Sequence, residues 1–571
     1  MEHYTLPQNN KATTRIVLGM LPYWTPLVPP QGIGMLKVYL QKHGYYVKNV
    51  DLNVEEAFKE IYFDYFKKME DFVPVEKRGN FFNIGHDVMH NHMMAAYKFS
   101  DEEKYIELVK VLVYHTYYVN ISDAQAKELN TIMDSFYKQL ENYYIALVER
   151  EKPDVLGFSI FKGNIPASIY AARLVKKRHP QIKIVMGGGT FADSHAMGSP
   201  NFDALVNETE DCVDLIMVGG QGEELFLKFL QGEISDRRVV TSKDMGMQPI
   251  PFDQLDIADL SDFNIFNYPY IAATGSASCP NECSFCNSSK YYGKFRTKDT
   301  KQLVAEMCEI YKRYGNQLFF MTDSLLNPII TDVANEFVNI KETLYYDCYF
   351  RVDDASADLD NTILWRRGGL YRTRMGIESG SQKILDLMGK EISVEQIKAS
   401  LYGLASAGIK TTAYLVIGHP GETEEDFQMT LDLLEEMKDY IWQAEPNPFY
   451  YHYSGQFASD QWADKRMLVY PEGASNMLVF DTWTLNCEPL REERYNRLNR
   501  FIEHCNKLGI PNPYNATELF DADERWKRLH KNAVPSIWEF KDLNKYVNEA
   551  KSAVKLTDAR NILDYSGDFN F

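Results

Sequence analysis

The chain has 571 residues, 45% hydrophobic and 25% charged, which is ordinary for a globular protein and too long for one core, so two or three domains are expected. A formal net charge of −19 disfavours nucleic acid and anionic membranes as partners, because both need a basic face. No stretch approaches the ~18 uninterrupted apolar residues of a membrane span, and the first fifteen residues lack a signal-peptide core, so a cytoplasmic protein is expected.

In chain order, residues 15–21 form a short apolar run that reads as a strand, and a proline-rich turn follows at 22–30. Residues 32–44 carry apolar positions at helical spacing and end on a glycine, and 45–52 read as a second strand. The alternation then breaks. Residues 54–150 are rich in Glu, Lys, Tyr, Phe and Met and read as several inserted helices. Strands resume at 153–160, 182–189 and 214–220, with helices at 166–179 and 223–232 between and after them. Strands alternating with helices predict a doubly wound parallel sheet over 1–235. Residues 236–265 lose the rhythm and read as a linker.

A second alternating region follows. Its predicted strands lie at 270–275, 317–323, 345–352, 372–379, 411–418 and, more weakly, 447–453. Six such units over 266–455 predict a partial or complete βα barrel, with its site at the C-terminal ends of the strands. Residues 456–571 form a Tyr-, Trp- and charge-rich tail, expected to be mainly helical. The fold class is thus α/β: a Rossmann-like parallel sheet, a βα barrel and a helical C-terminal extension.

Of eight cysteines, three are clustered: Cys279-Pro-Asn-Glu-Cys283-Ser-Phe-Cys286, directly after the first barrel strand. In a large cytoplasmic chain such a cluster suggests a metal rather than disulfides. Three thiolates on one loop can hold three irons of a four-iron cluster and leave the fourth open for chemistry. The spacing alone also suits zinc with a fourth Cys or His from elsewhere.

The three cysteines, with Phe285 between the last two, resemble the signature of the radical S-adenosylmethionine superfamily. That resemblance implies a [4Fe–4S] cluster on Cys279, Cys283 and Cys286. It also implies S-adenosylmethionine chelated at the open iron and cleaved to a 5′-deoxyadenosyl radical. The segment Gly376-Ile-Glu-Ser-Gly-Ser381 is similar to the superfamily's fourth-strand motif, which implies cofactor contacts for Glu378 and Ser379; the plain reading is that Glu378 caps the next helix. Ile417-Gly-His-Pro-Gly-Glu-Thr423 resembles the fifth-strand motif, which places Gly418 near the adenine. Asp323 stands where many members carry a Gly-Gly-Glu motif. His419 and Tyr450, at predicted strand ends, are candidate catalytic residues.

Upstream, residues 29–53, 154–160, 185–191 and 218–226 resemble the cobalamin-binding domain found fused to radical enzymes. This implies a cobalamin crevice at Gly187, Gly188, Gly189, Gly219 and Gly220, beyond the strand ends of a parallel sheet. A sheet of this kind that binds nothing is the alternative. The loop at 22–30 holds no His to ligate cobalt. Asp193-Ser-His-Ala-Met-Gly198 fits the usual ligating pattern literally, but after a later strand, and His195 is read as coincidental.

The resemblance implies a cobalamin-dependent enzyme that methylates an unactivated carbon or phosphorus. The alternatives are a non-methylating rearrangement, cyclisation or oxidation, or a non-catalytic iron–sulfur or zinc protein. Expected partners are a small-molecule or peptide substrate and an electron donor such as flavodoxin or ferredoxin. The insertion and the tail are expected to shape substrate access.

Overall fold

The computed structural model describes residues 14–192, 195–234, 237–247, 250–286, 288–291, 293–451, 460–470, 483–511, 516–536 and 539. The chain divides into two compact units. One comprises Met1–Phe72, Gly85–Asn264 and Leu468–Thr482; the other comprises Val73–Ile84, Ile265–Met467 and Trp483–Phe571.

The first unit is built on a parallel sheet of β1 (Arg15–Met20), β2 (Tyr46–Asp51), β3 (Val155–Ser159), β4 (Lys183–Gly187), β5 (Leu215–Val218) and β6 (Val239–Thr241), in the order β2-β1-β3-β4-β5-β6. β1, β3 and β5 are largely apolar on both faces, as strands in a sheet covered by helices require. Helix α1 (Gln31–Lys42) buries Ile33 and Leu40 against it. The insertion is helical: α2 (Glu56–Phe72), α3 (Phe81–Lys98), α4 (Glu102–Tyr117) and α5 (Asp123–Glu151), the last opened by a capping box of Ser122 and Gln125. His92 in α3 is a core histidine, bonded through Nδ1 to the Tyr65 hydroxyl at 3.0 Å and through Nε2 to that of Tyr105 at 2.8 Å. Helices α6 (Ile165–Arg178), α7 (Pro200–Glu208) and α8 (Gly222–Leu230) complete the unit.

The stretch expected to be a linker, 236–265, is folded into this unit as far as Asn264. Within it, β6 adds a sixth strand, too short to stand out in a segment without rhythm. Lys37, buried in α1, is clamped by Asp262 at 2.8 Å and Asp259 at 3.1 Å. Phe263 packs on the sheet's core cluster.

The second unit contains another parallel sheet: β7 (Ile271–Ala273), β8 (Leu318–Met321), β9 (Tyr345–Arg351), β10 (Leu370–Glu378), β11 (Lys410–Ile417) and β12 (Gln443–Pro448), in sequential order. Among the described residues β7 and β12 are its edges, so the barrel is partial. The last strand lies at 443–448 instead of 447–453. Its Gln-Ala-Glu-Pro-Asn-Pro sequence does not read as a strand, yet an edge strand tolerates prolines whose missing N–H groups face away from the partner. Helices α9 (Thr300–Tyr314), α10 (Ile330–Phe337), α11 (Leu359–Arg367), α12 (Gln382–Leu387), α13 (Val394–Ser406) and α14 (Glu424–Met437) connect the strands.

The described part of the tail is mainly helical, with α15 (Arg491–Leu508) and α16 (Ala516–Leu529), and both helices brace the barrel. Asp523 of α16 forms a fully buried ion pair with Lys410 at the start of β11, at 2.6 Å, and accepts the Trp442 indole N–H at 3.0 Å. Burial lowers the Lys410 ammonium to about 8. Trp526 donates to the Gly408 carbonyl. Gly408 has φ +82, and a Cβ there would collide with the Asn532 backbone. We predict that Gly408→Ala costs more than ~1 kcal/mol, read as a lower denaturation midpoint of the second unit. An unchanged midpoint would show that the loop at 532 yields freely.

Candidate active site

The cysteine loop leaves β7 through a two-residue hairpin strand, Ser276–Ala277, paired antiparallel with Arg296–Thr297. Its base is stitched to the end of β8. Asp323 Oδ2 accepts the Gly275 N–H at 3.1 Å, and the Ser276 hydroxyl donates to the Leu325 carbonyl at 3.0 Å. Burial pushes the Asp323 carboxyl up to about 6. Asp323 therefore shapes the loop from beneath and does not line the cavity above it.

That cavity, of about 260 Å³, is walled on one side by Cys279, Cys283 and Cys286, all half-buried. Three sulfur contacts surround the loop. Asn281 Nδ2 donates to Cys279 Sγ at 3.5 Å, Arg351 Nη1 donates to Cys283 Sγ at 3.4 Å, and Cys286 Sγ donates to Ser288 Oγ at 3.4 Å. The loop is also held from the α12 side, where Ser284 N–H donates to the Met388 carbonyl at 2.8 Å. Among the described residues the cavity lining contains no fourth Cys and no His. Soft thiolate donors without a fourth protein ligand fit an iron–sulfur cluster with an open iron better than closed zinc.

Phe285, Glu378 and Lys390 line the same cavity. Glu378 ends β10 at φ +59, beside a register shift between Gly376 and Glu378. A non-glycine residue in this region is strained and needs a local anchor. The anchor is Lys390, whose Nζ meets Glu378 Oε1 at 2.6 Å with both side chains buried, and which also lies 5.7 Å from the Phe285 ring centre. Gly376 makes room for the pair: a Cβ there would overlap Glu378 Oε1 and sit 2.8 Å from Lys390 Nζ. Gly376→Ala is therefore predicted to displace Glu378 while the barrel folds. Affinity for S-adenosylmethionine should fall at least tenfold by calorimetry, and wild-type affinity would remove Glu378 from the binding surface.

Other sequence candidates fall elsewhere. Ser379 is fully buried with its hydroxyl at 3.2 Å from that of Thr430 in α14, so it ties strand to helix and is not in the cavity lining. Gly418, at φ +79, makes room for the Arg494 side chain of α15. His419 is buried outside the cavity lining. Its Nδ1 lies 3.0 Å from the Pro420 carbonyl and its ring packs edge-on against Phe449. Burial lowers its pKa to about 4, which leaves a neutral structural imidazole. Tyr450 is half-buried and does line the cavity. His452 and Asp193 lie outside the described residues.

The sequence reading missed Arg351, Lys390, Arg374, Tyr349, Tyr414 and Asn447, all in the lining. Period-two alternation was the available signal: it puts Asp347, Tyr349 and Arg351 on one face of β9, and Arg372, Arg374, Gly376 and Glu378 on one face of β10. Part of the tail packs against lining residues from outside the cavity. Trp462, Trp483 and Leu485 pack with Phe449 and Tyr451 beside Phe285.

In the first unit, Gly219 (φ +91) and Gly220 are exposed beyond β5, with open space where a Cβ would stand. Gly187 only touches Met217. Gly188 and Gly189 serve internal packing, because a Cβ at Gly188 would run into the Ile160 backbone and one at Gly189 would lie 2.6 Å from the Phe161 ring. His195 is fully buried, with Nδ1 3.1 Å from the Thr190 hydroxyl, and is no surface ligand.

Comparison with known proteins agrees with this geometry. Residues 275–434 match the Radical SAM superfamily model. The anaerobic magnesium-protoporphyrin IX monomethyl ester cyclase of Rubrivivax gelatinosus is 26% identical over 332 residues, covering 52% of this chain and 57% of that protein. An uncharacterised methyltransferase of Pyrococcus horikoshii is 22% identical, covering 54% of this chain and 69% of that one. The structure of the methyltransferase TsrM from Kitasatospora setae, with cobalamin and a [4Fe–4S] cluster bound, superposes with a TM-score of 0.59 at 12% identity, over 94% of this chain and all of that one. This last likeness is one of fold. Three thiols on the loop after the first barrel strand, lining one cavity with a buried Glu–Lys pair, thus sit inside the segment, 275–434, that matches the Radical SAM superfamily model.

Proposed function

We propose that the chain is a cobalamin-dependent radical enzyme that transfers a methyl group from S-adenosylmethionine to an unactivated carbon or phosphorus. The observation that carries the radical chemistry is that three thiols line one cavity together with the Glu378–Lys390 pair. When bound, the cluster and S-adenosylmethionine supply a 5′-deoxyadenosyl radical, and cobalamin supplies methyl transfer. The protein's part is placement. Cys279, Cys283 and Cys286 hold the cluster, and Glu378 accepts hydrogen bonds from cofactor hydroxyl or ammonium groups. Phe285, Phe449 and Tyr450 exclude water from the reacting atoms. Gly219 and Gly220 leave backbone open to a flat ring beyond β5. The loop at 22–30 has no His, so cobalt would be held without a protein imidazole.

A small-molecule or peptide substrate, a flavodoxin- or ferredoxin-type donor and a cytoplasmic setting belong to the same proposal. The acidic balance favours it over a nucleic-acid substrate. Among the described residues no helix is long and apolar enough to cross a membrane.

The likeness to a cyclase favours one second reading, a radical reaction without methylation. Anaerobic turnover with S-adenosylmethionine and reductant separates the two. Both 5′-deoxyadenosine and S-adenosylhomocysteine are expected. 5′-Deoxyadenosine alone would leave the second reading, and neither product would end both.

A further inference from the structure

Three cations face the cavity: Arg351, Arg374 and Lys390. Two are ion-paired within the protein, Arg374 through a carboxylate it shares with Arg372. Arg374 Nε meets Asp347 Oδ1 at 3.0 Å, and Lys390 is paired with Glu378. Arg351 has no carboxylate at ion-pair distance among the described residues, and its Nη1 points instead at Cys283 Sγ, 3.4 Å away. Its place is fixed by the backbone. Asn327 Oδ1 accepts the Arg351 N–H at 2.9 Å, and Asn327 Nδ2 donates to the Arg351 carbonyl and to Asp353 Oδ2, both at 2.7 Å. Asp353 in turn accepts the Ser356 N–H that starts the next helical turn. The end of β9 is thus pinned on both sides, and the guanidinium is presented to one cysteine of the three.

We propose that Arg351 is a positioning residue that sets the reduction potential of the cluster, through a charge-assisted N–H···S bond to the Cys283 thiolate. This deepens the reading above and rests on its cluster. A guanidinium stays charged at all relevant pH values, and hydrogen bonds to cluster sulfurs and nearby net charge are the protein's levers on potential. Reduction adds one electron, supplied by an external low-potential donor, and places more negative charge on the thiolate sulfurs. A fixed cation at Cys283 stabilises that reduced form more than the oxidised one. With the cluster held by Cys279, Cys283 and Cys286 and S-adenosylmethionine bound, that electron would pass to the sulfonium, whose carbon–sulfur bond would break to methionine and the 5′-deoxyadenosyl radical. Arg351 neither gives nor takes an electron or proton. It raises the fraction of cluster that the donor can reduce.

The test uses the full chain, reconstituted with iron and sulfide without oxygen, and an electron-paramagnetic-resonance redox titration. In Arg351→Gln and Arg351→Met, each holding the parent's iron content, the reduced-to-oxidised ratio at a fixed potential is expected to fall at least tenfold, a 59 mV negative shift for one electron. Arg351→Lys, which keeps the charge without the fork, should shift less in the same direction. A reduced-to-oxidised ratio within a factor of three of the parent's in both neutral variants would overturn the proposal. So would failure of both to take up iron, since Arg351 would then serve assembly and not tuning. If the parent chain itself takes up no iron, the cluster reading fails, which is a distinct result.

Discussion

Replacing Cys279, Cys283 and Cys286 together by Ala is expected to abolish iron uptake and 5′-deoxyadenosine formation while leaving the barrel folded. The loop does not depend on the thiols for its shape. Ser278 Oγ donates to the Gly293 carbonyl at 2.6 Å, Ser284 is held by the Met388 carbonyl, and Asp323 fastens the base. The cavity lining offers no other Cys and no His to substitute among the described residues. Loss should therefore be complete instead of partial. The measurements are iron per chain after anaerobic reconstitution, product formation, and far-ultraviolet circular dichroism. Iron retained at parent level would refute the site, and a collapsed dichroism spectrum would show that the loop needs its thiols to fold.

The second large effect is expected at Asp347, deep in the barrel and fully buried. Its carboxylate accepts from Arg372 Nε at 2.8 Å and Arg374 Nε at 3.0 Å, and the two guanidiniums bond further to the hydroxyls of Tyr270 and Tyr414. Burial opposes the negative charge, but the two guanidiniums outweigh it and hold the carboxyl below its ordinary value of 3.8. Asp347→Ala leaves two buried cations without their counter-charge, a change that costs about 3–5 kcal/mol when a single buried pair is broken. Soluble yield should fall sharply, and hydrogen exchange in β9 and β10 should accelerate. A variant as stable as the parent would show that water enters and solvates both guanidiniums. The pH dependence has a definite sign. The native carboxyl binds its proton less readily than the unfolded one, so its stabilisation is present above pH 3.8 and is lost as pH falls through the native value.

Much of this was readable before any coordinates. Apolar runs separated by helical periods located ten of the twelve strands, since burial on both faces leaves few polar residues to confuse the reading. The cysteine spacing placed the cluster loop. The strand at 443–448 and the short β6 were the difficult cases, one because an edge accepts prolines and buried carboxamides, the other for want of length. Charged groups were harder. Arg351, Arg372, Arg374 and Lys390 look like surface residues until their partners, 12 to 68 positions away, bring them inside. Ser379 and Gly418 showed the reverse. Both carry the motif's residue types, yet their contacts serve Thr430 and Arg494. A hydroxyl or a glycine at a strand end is legible as a type and not as a direction.

The buried ties between barrel and tail also bear on the order in which the chain can mature. Lys410 waits for Asp523, and Glu422, whose loop carboxylate meets Arg497 at 2.7 Å, waits for α15. In a nascent barrel that ends at β12 the ammonium and carboxyl lack their counter-charges, so about 75 further residues, from Pro448 to Asp523, must be added before the ties form. At ~5–20 residues per second this is a delay of several seconds in which the cysteine loop stands on an unfinished scaffold. Cluster loading is thereby deferred until Asp523 has emerged. Protease protection of stalled chains should reach the barrel only when Asp523 has left the exit tunnel. Protection of a chain stalled just past β12 would place maturation ahead of that emergence instead.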